Sequence, residues 1–140
     1  MTFDPTHPFA GASVATRLPC QDLERARRWY AEKLGLEPSE ERPGGIAYDL
    51  GATRFALFAS AGAPSGAHTQ MGWEVEDLQA VVTELRSRGV VFEEYDIPGL
   101  TTHDGIALVE GNYPSRGGRG EHAAWFRDSE GNLLGIGQPR

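Results

Sequence analysis

Gln21-Asp22-Leu23-Glu24-Arg25-Ala26 and, 55 residues further on, Glu76-Asp77-Leu78-Gln79-Ala80-Val81 have the same pattern. Each stretch follows a short run of loosely alternating apolar residues and is expected to open a helix that ends at a glycine, Gly35 or Gly89. An internal repeat says more about a fold than a single motif does. This one predicts two β-α-β-β-β units in tandem, with a cleft between them whose lining decides the function.

The composition narrows the class of protein. With 140 residues, 39% hydrophobic and 24% charged, the chain is expected to form one globular domain. The net charge of −7 argues against a nucleic-acid or anionic-membrane partner. No apolar run approaches the roughly 20 residues of a membrane helix. A single cysteine and an N-terminus without signal-peptide features indicate a cytoplasmic protein.

Turn-rich segments divide the chain. Proline and glycine mark residues 1–11 as an irregular lead-in, and they recur through a long stretch near the end of the chain. The predicted division is a single domain over 12–138, with a first unit 12–60, a linker 61–69 and a second unit 70–138 that contains a long loop, 96–120. Such a loop is either a lid over a binding cleft or a flexible insertion.

Local patterns place the strands and helices. Leu23 to Leu34 has helical spacing with Asp22 as N-cap, and the second helix starts after Asp77. The polar turn from Asp128 to Asn132 should join a final hairpin, with Gly131 in the left-handed position. The predicted strands are 12–20, 36–42, 46–50, 54–59, 70–76, 90–95, 123–127 and 133–137, with a short strand at 106–109.

Three stretches carry a resemblance to a known family: Asp22 to Leu36, Trp73 to Leu78, and Trp125-Phe126-Arg127-Asp128-Ser129-Glu130-Gly131-Asn132-Leu133-Leu134. With the repeated order of elements, they make the chain similar to the vicinal oxygen chelate superfamily of glyoxalases, bleomycin-resistance proteins, fosfomycin-resistance enzymes and extradiol dioxygenases. The resemblance implies an α+β fold in which two tandem βαβββ units form a curved mixed sheet around a cleft. It also implies a homodimer in which the sheets of two chains complete each other's clefts.

The resemblance also locates the metal site of the metal-dependent members. Its ligand positions fall on Ala15, Gln70 and Gly135. Alanine and glycine have no ligating side chain, and one amide oxygen is a weak ligand alone. We therefore predict that the usual metal site is absent and that no cofactor is bound.

Strand alternation suggests what lines the cleft instead. Arg17 shares a face with Ala15, and Glu74 shares a face with Gln70, whereas Met71 and Trp73 should pack under the helices. Charges at such positions need a partner or water. Arg17 and Glu74 therefore either pair with each other or recognise a polar group on a ligand.

Aromatic residues supply the rest of the predicted lining. Trp125 should lie on the face of Gly135, either as a stacking surface for a planar guest or as core filler. Gly135 and Gly137 would leave space for that guest. Tyr48 and Phe58 are further candidates for the same cavity, although their faces are not fixed by the sequence.

Three functions remain open at this level. The first is a metal-independent protein that binds and sequesters an aromatic or apolar small molecule through Arg17, Gln70, Glu74, Trp125, Tyr48 and Phe58. The second is a lyase or dioxygenase-type enzyme. It would use either Glu74 as general base or an atypical metal site formed by His68, His122 and Glu74. The third is a scaffold without a ligand.

Overall fold

Each repeat unit folds into a four-stranded mixed sheet with one helix, in a computed structural model that describes residues 3–111 and 117–140. A π-helical turn, Tyr30–Leu34, continues the first helix. The first unit consists of β1 (Thr16–Cys20), α1 (Leu23–Trp29), β2 (Glu40–Arg42), β3 (Gly45–Leu50) and β4 (Thr53–Ala59). The second consists of β5 (Thr69–Glu74), α2 (Leu78–Ser87), β6 (Asp96–Ile97), β7 (Leu100–Thr101), β8 (Ala107–Glu110), β9 (Gly120–Arg127) and β10 (Leu133–Pro139).

The two sheets have equivalent topologies. The strand orders are β1-β4-β3-β2 and β5-β10-β9-β8, with a separate β6-β7 hairpin inserted after α2. In each sheet the strand before the helix pairs in parallel with the last strand of the unit, and the other pairs are antiparallel. The predicted α+β class with two βαβββ units is confirmed, and each unit has its own sheet.

The same capping interaction starts both helices. Asp22 and Asp77 have extended backbones, and one carboxylate oxygen of each accepts a hydrogen bond from the backbone N–H three residues later, at 3.0 and 3.1 Å. This contact satisfies one of the unpaired N–H groups of a helix N-terminus. The repeat seen in the sequence is therefore a repeat of N-caps.

A core of aromatic side chains joins the units. Tyr48 stacks on Phe55 with ring centroids 4.9 Å apart, and Phe55 meets Trp73 edge to face at 5.7 Å. Trp73 in turn stacks on Phe126 at 6.1 Å, and α1 contributes Tyr30 at 5.5 Å from Tyr48. These contacts run from the first sheet to the second, so the inner faces of both sheets belong to one apolar core.

The final turn is anchored in this core through Asp128. Its Oδ1 accepts hydrogen bonds from the backbone N–H groups of Glu130 and Asn132, at 2.8 and 2.9 Å. Its Oδ2 accepts one from the hydroxyl of Tyr30, at 2.7 Å. The Asn132 amide also donates to the carbonyl of Pro19, at 3.1 Å. The turn of the second unit is thus bonded to the helix and the first strand of the first unit.

Glu130 makes a second connection between the units. Its side chain is fully buried, and its carboxylate accepts bonds from the Arg25 guanidinium and from the backbone N–H groups of Gln21 and Asp22. Burial by itself would raise the pKa of Glu130, but the hydrogen bonds from Arg25, Ser129 and Asp22 outweigh it and hold the pKa at about 2. A buried carboxylate from residue 130 therefore stabilises the N-terminus of α1.

Two predictions about the second unit are wrong. Residues 90–95 do not form a regular strand, because only an isolated bridge from Phe92 to Phe126 joins them to β9. The predicted long loop is interrupted by the unpredicted β6-β7 hairpin, whereas the short strand predicted at 106–109 is present as β8, an edge strand bonded to β9. The part of the predicted lid at 112–116 lies outside the described residues.

Replacing Glu130 by Gln should lower the free energy of unfolding by about 2–3 kcal/mol, because the guanidinium and two backbone donors lose a buried anion. The pKa of Glu130 is depressed from its ordinary 4.5, so its contribution is present above that pH and disappears as the pH falls towards 2. Urea unfolding from about pH 7 to 2 should show the difference between the two proteins shrinking in acid.

Glu84→Gln is the matched control, because Glu84 pairs with Arg88 on the exposed surface of α2. It should leave the free energy of unfolding nearly unchanged, because exposed ion pairs contribute little to stability. Equal losses in the two variants would show that the buried carboxylate has no special role.

Two buried tyrosines provide a second test. The Tyr30 hydroxyl is bonded to Asp128, whereas the equally buried Tyr48 hydroxyl has no hydrogen-bond partner among the described residues. Tyr30→Phe should cost about 1–2 kcal/mol, and Tyr48→Phe should be neutral or stabilising by up to about 1 kcal/mol, because it removes an unsatisfied polar group. Thermal unfolding of both variants measures this ranking, and the reverse order would contradict it.

Candidate functional site

The first sheet has an open cleft on the face that points away from the core. Leu18, Phe55 and Leu57 point into the core, so their neighbours on the strands point outward. A cavity of about 790 Å³ lies over this outer face. We call it the first-sheet cleft; it is lined by residues 13–17 with parts of β2, β3 and β4, among them Arg17, Glu40, Arg42, Ala47, Arg54, Ala56 and Phe58.

The floor of the first-sheet cleft is made of small residues. In register across the four strands, one row reads Arg17, Ala56, Ala47 and Glu40. The adjoining row contains Phe58, whose 38% exposure is high for a side chain of this size. Because alanine side chains fill little space, the centre of the face stays open, while longer side chains stand around it.

A network of charges forms one side of this cleft. Arg54 bonds Asp49 at 2.7 Å and Glu40 at 3.2 Å, and Arg42 also pairs with Glu40. The bonds from Arg54, followed by one from Ser39, lower the pKa of Asp49 to about 2. The carboxylates on this side are therefore already neutralised by guanidinium groups.

This network of ion pairs was not predicted from the sequence. The sequence does contain a pattern that indicates it. Asp49 and Arg54 flank a short Gly-Ala turn between two strands, and they face each other in register. Opposite charges at directly facing positions are a recognised cross-strand pair. Glu40 and Arg42 are two residues apart on β2, so their side chains lie on the same face of the strand.

Arg17 stands on the other side of the first-sheet cleft. It is exposed, and its guanidinium has no hydrogen bond or ion pair with any described residue. Among the described residues no ion pair joins Arg17 to Glu74, so the alternative in which these two residues pair with each other is not realised within one chain. Arg17 is thus available to a ligand.

The second sheet carries another group of predicted site residues on its outer face. Glu74 lies beside Gly137 in register, and Trp125 lies beside Gly135. A Cβ on Gly135 would be 3.4 Å from the Trp125 indole, and the Glu121 carboxylate occupies the space that a Cβ on Gly137 would need. The prediction that Gly137 leaves room for a guest is therefore wrong, because the Glu121 side chain from β9 fills that space, whereas the contacts at Gly135 are at ordinary van der Waals distance and leave its part of the prediction untested.

Trp125 and Gln70 are both partly buried on the second sheet. The Trp125 ring contacts Tyr95 edge to face, with centroids 5.5 Å apart. Gln70 lies where the register between β5 and β10 shifts, and its Oε1 is buried without a hydrogen-bond partner in the described part of the chain. An unsatisfied amide oxygen at this position is a feature that a bound group could complete.

Tyr48 belongs to neither outer face. It is 1% exposed and stacks on Phe55 and Tyr30 in the core, so the prediction that it shares a cavity with Phe58 is wrong. The parity of β3 decides this, because Ala47 points outward and its neighbour must point inward. The structure therefore brings Arg17 and Phe58 together and leaves Gln70, Glu74 and Trp125 on the second sheet.

The residues do not fit the metal site that the resemblance places at Ala15, Gln70 and Gly135. Ala15 offers no donor atom at the rim of the first-sheet cleft, and an indole lies against the Cα of Gly135. One amide oxygen cannot hold a divalent ion by itself. The atypical set of His68, His122 and Glu74 does not assemble either, since the described residues contain no group of three or more metal-binding side chains.

Among the described residues, no helix combines the length and apolar character needed to span a membrane. The family model of the Glyoxalase/Bleomycin resistance protein/Dioxygenase superfamily matches residues 12–136. A comparison with curated protein sequences found no match.

Solved structures share the fold at low sequence identity. A bleomycin-binding protein complexed with bleomycin superimposes with a TM-score of 0.62 at 19% identity, over 91% of this chain and 98% of that one. TnmS3, an antibiotic-binding protein from Streptomyces sp. CB03234, gives 0.57 at 21%, over 91% and 97%. Lactoylglutathione lyase from Agrobacterium tumefaciens gives 0.60 at 17%, over 91% and 94%. Both binding proteins and an enzyme therefore use this fold, and fold alone does not choose between them.

Proposed function

The chain belongs to the Glyoxalase/Bleomycin resistance protein/Dioxygenase superfamily, and from this premise we propose that it is a metal-independent protein that binds and sequesters an aromatic or apolar small molecule. The open first-sheet cleft is the observation that carries this proposal. Its volume of about 790 Å³ lies within the roughly 300–1,000 Å³ of typical small-molecule sites.

The lining of the cleft supports binding rather than catalysis. Phe58 offers an exposed aromatic surface, and Ala47 and Ala56 give the floor room for a flat guest. The carboxylates of Glu40 and Asp49 are each held by arginine, so neither is placed as a general base. The bleomycin-binding protein and TnmS3 place antibiotics among the compounds that this fold accepts, so an antibiotic is a reasonable class of guest.

We further propose that two chains pair. Arg17 and Phe58 lie over the first sheet, while Glu74 and Trp125 lie on the outer face of the second, and both sheets turn their inner faces to the same core. A second chain that set its second sheet against the first-sheet cleft would bring the two groups into one cavity. It would also cover the exposed Phe58 ring.

Light scattering on the purified protein should therefore give the mass of two chains at micromolar concentration. Dilution should dissociate the pair and weaken the binding of an aromatic probe. A monomeric mass with unchanged probe binding would overturn the pairing and leave the cleft as a site within one chain.

Phe58→Ala should weaken binding of the fluorescent neutral probe N-phenyl-1-naphthylamine about five- to tenfold, since it removes an aromatic contact worth about 1 kcal/mol. Fluorescence titration measures the affinity.

Protein treated with EDTA and desalted should bind the probe as tightly as untreated protein, because no metal takes part.

Leu108→Ala is the matched control, since Leu108 is a large apolar residue of similar exposure, 44%, on β8 outside the cleft. It should leave the affinity unchanged. Equal effects of both variants would place the probe elsewhere, and loss of binding after chelation would contradict metal independence.

A further inference from the structure

The charges of the first-sheet cleft do not balance. Three guanidinium groups, from Arg17, Arg42 and Arg54, line the cleft beside one carboxylate, from Glu40. Glu40 pairs with Arg42 and Arg54, and Arg54 also pairs with Asp49 next to the lining, so within one chain the positive charge of Arg17 remains uncompensated. The chain as a whole carries a net charge of −7, so a locally positive cleft is opposite to what its composition would give on average.

Arg17 is placed to act together with the apolar part of the cleft. It pairs in register with Ala56 on β4, and Phe58 stands two residues further along the same strand. Neighbouring strands lie about 4.8 Å apart and alternate residues about 6.7 Å apart, which puts the two Cα atoms roughly 8 Å from each other. One small molecule can therefore contact the guanidinium and the phenyl ring at once.

The same arrangement disfavours a cationic guest. A cation would need a free carboxylate, and Glu40 and Asp49 already accept hydrogen bonds from arginine. A guanidinium instead presents a planar fork of donors that matches a carboxylate, sulfonate or phosphate.

Resting on the proposed function, we infer that the ligand of the first-sheet cleft is an organic anion. Arg17 binds its acidic group, and its aromatic or aliphatic remainder lies on Phe58 and the floor formed by Ala47 and Ala56. The ligand class is thus a hydrophobic carboxylate, sulfonate or phosphate of low molecular mass.

Two probes that differ by one charged group test this inference. 8-Anilinonaphthalene-1-sulfonate has the ring system of N-phenyl-1-naphthylamine with an added sulfonate. The wild-type protein should bind the sulfonate more tightly, and Arg17→Gln should weaken that binding about tenfold while changing the affinity for the neutral probe less than about twofold. Arg17→Lys should retain part of the preference, and added salt should weaken only the sulfonate.

Arg28→Gln is the charge-matched control, because Arg28 is an exposed arginine of α1, outside the cleft, with no side-chain partner among the described residues. It should leave both affinities unchanged. If Arg17→Gln changes the sulfonate affinity no more than Arg28→Gln does, the anionic class is wrong. If Phe58→Ala still weakens both probes in that case, the cleft remains the binding site. If neither Arg17→Gln nor Phe58→Ala has an effect, the proposed function fails as well.

Discussion

The burial of the Asp128 and Glu130 carboxylates in the final turn is the constraint on which the arrangement of the two units depends. A buried anion is stable only when donors surround it. Some donors to these two carboxylates lie within the turn itself. The others come from the first helix, its π-helical continuation and the residues just before it, more than 90 residues earlier in the chain. The last hairpin therefore has one acceptable position, against the N-terminus of α1. Fixing that position closes the apolar core between the sheets.

The shared core decides which surfaces are left for function. Phe55 and Trp73 meet at the centre of the core, so each sheet uses its inner face for packing and presents its outer face elsewhere. A chain of this length with two independent cores would have little apolar area for each. Joining the units through one core lets both sheets bury their apolar side chains together, and it leaves each sheet with an outer face. On one of them the first-sheet cleft remains open.

Small residues have opposite consequences on the two outer faces. On the first sheet, Ala47 and Ala56 leave an open floor because the neighbouring long side chains pair with each other at the side. On the second sheet, Gly137 leaves no cavity because the Glu121 carboxylate lies over it. Whether a small residue creates space thus depends on the reach of its cross-strand neighbours, since protein interiors are filled to near crystal density.

The sequence by itself determined the elements that depend on local chemistry. Asp22 and Asp77 cap helices, Gly35 and Gly131 take the left-handed backbone that ends a helix or closes a turn, and the repeat gives the two βαβββ units. Only the tertiary structure decided that Tyr48 is a core residue, that a β6-β7 hairpin forms after α2, and that Arg17 and Glu74 form no ion pair within one chain. These outcomes depend on strand register and on which faces meet, and both are set by contacts between residues far apart in the chain, which a local pattern does not contain.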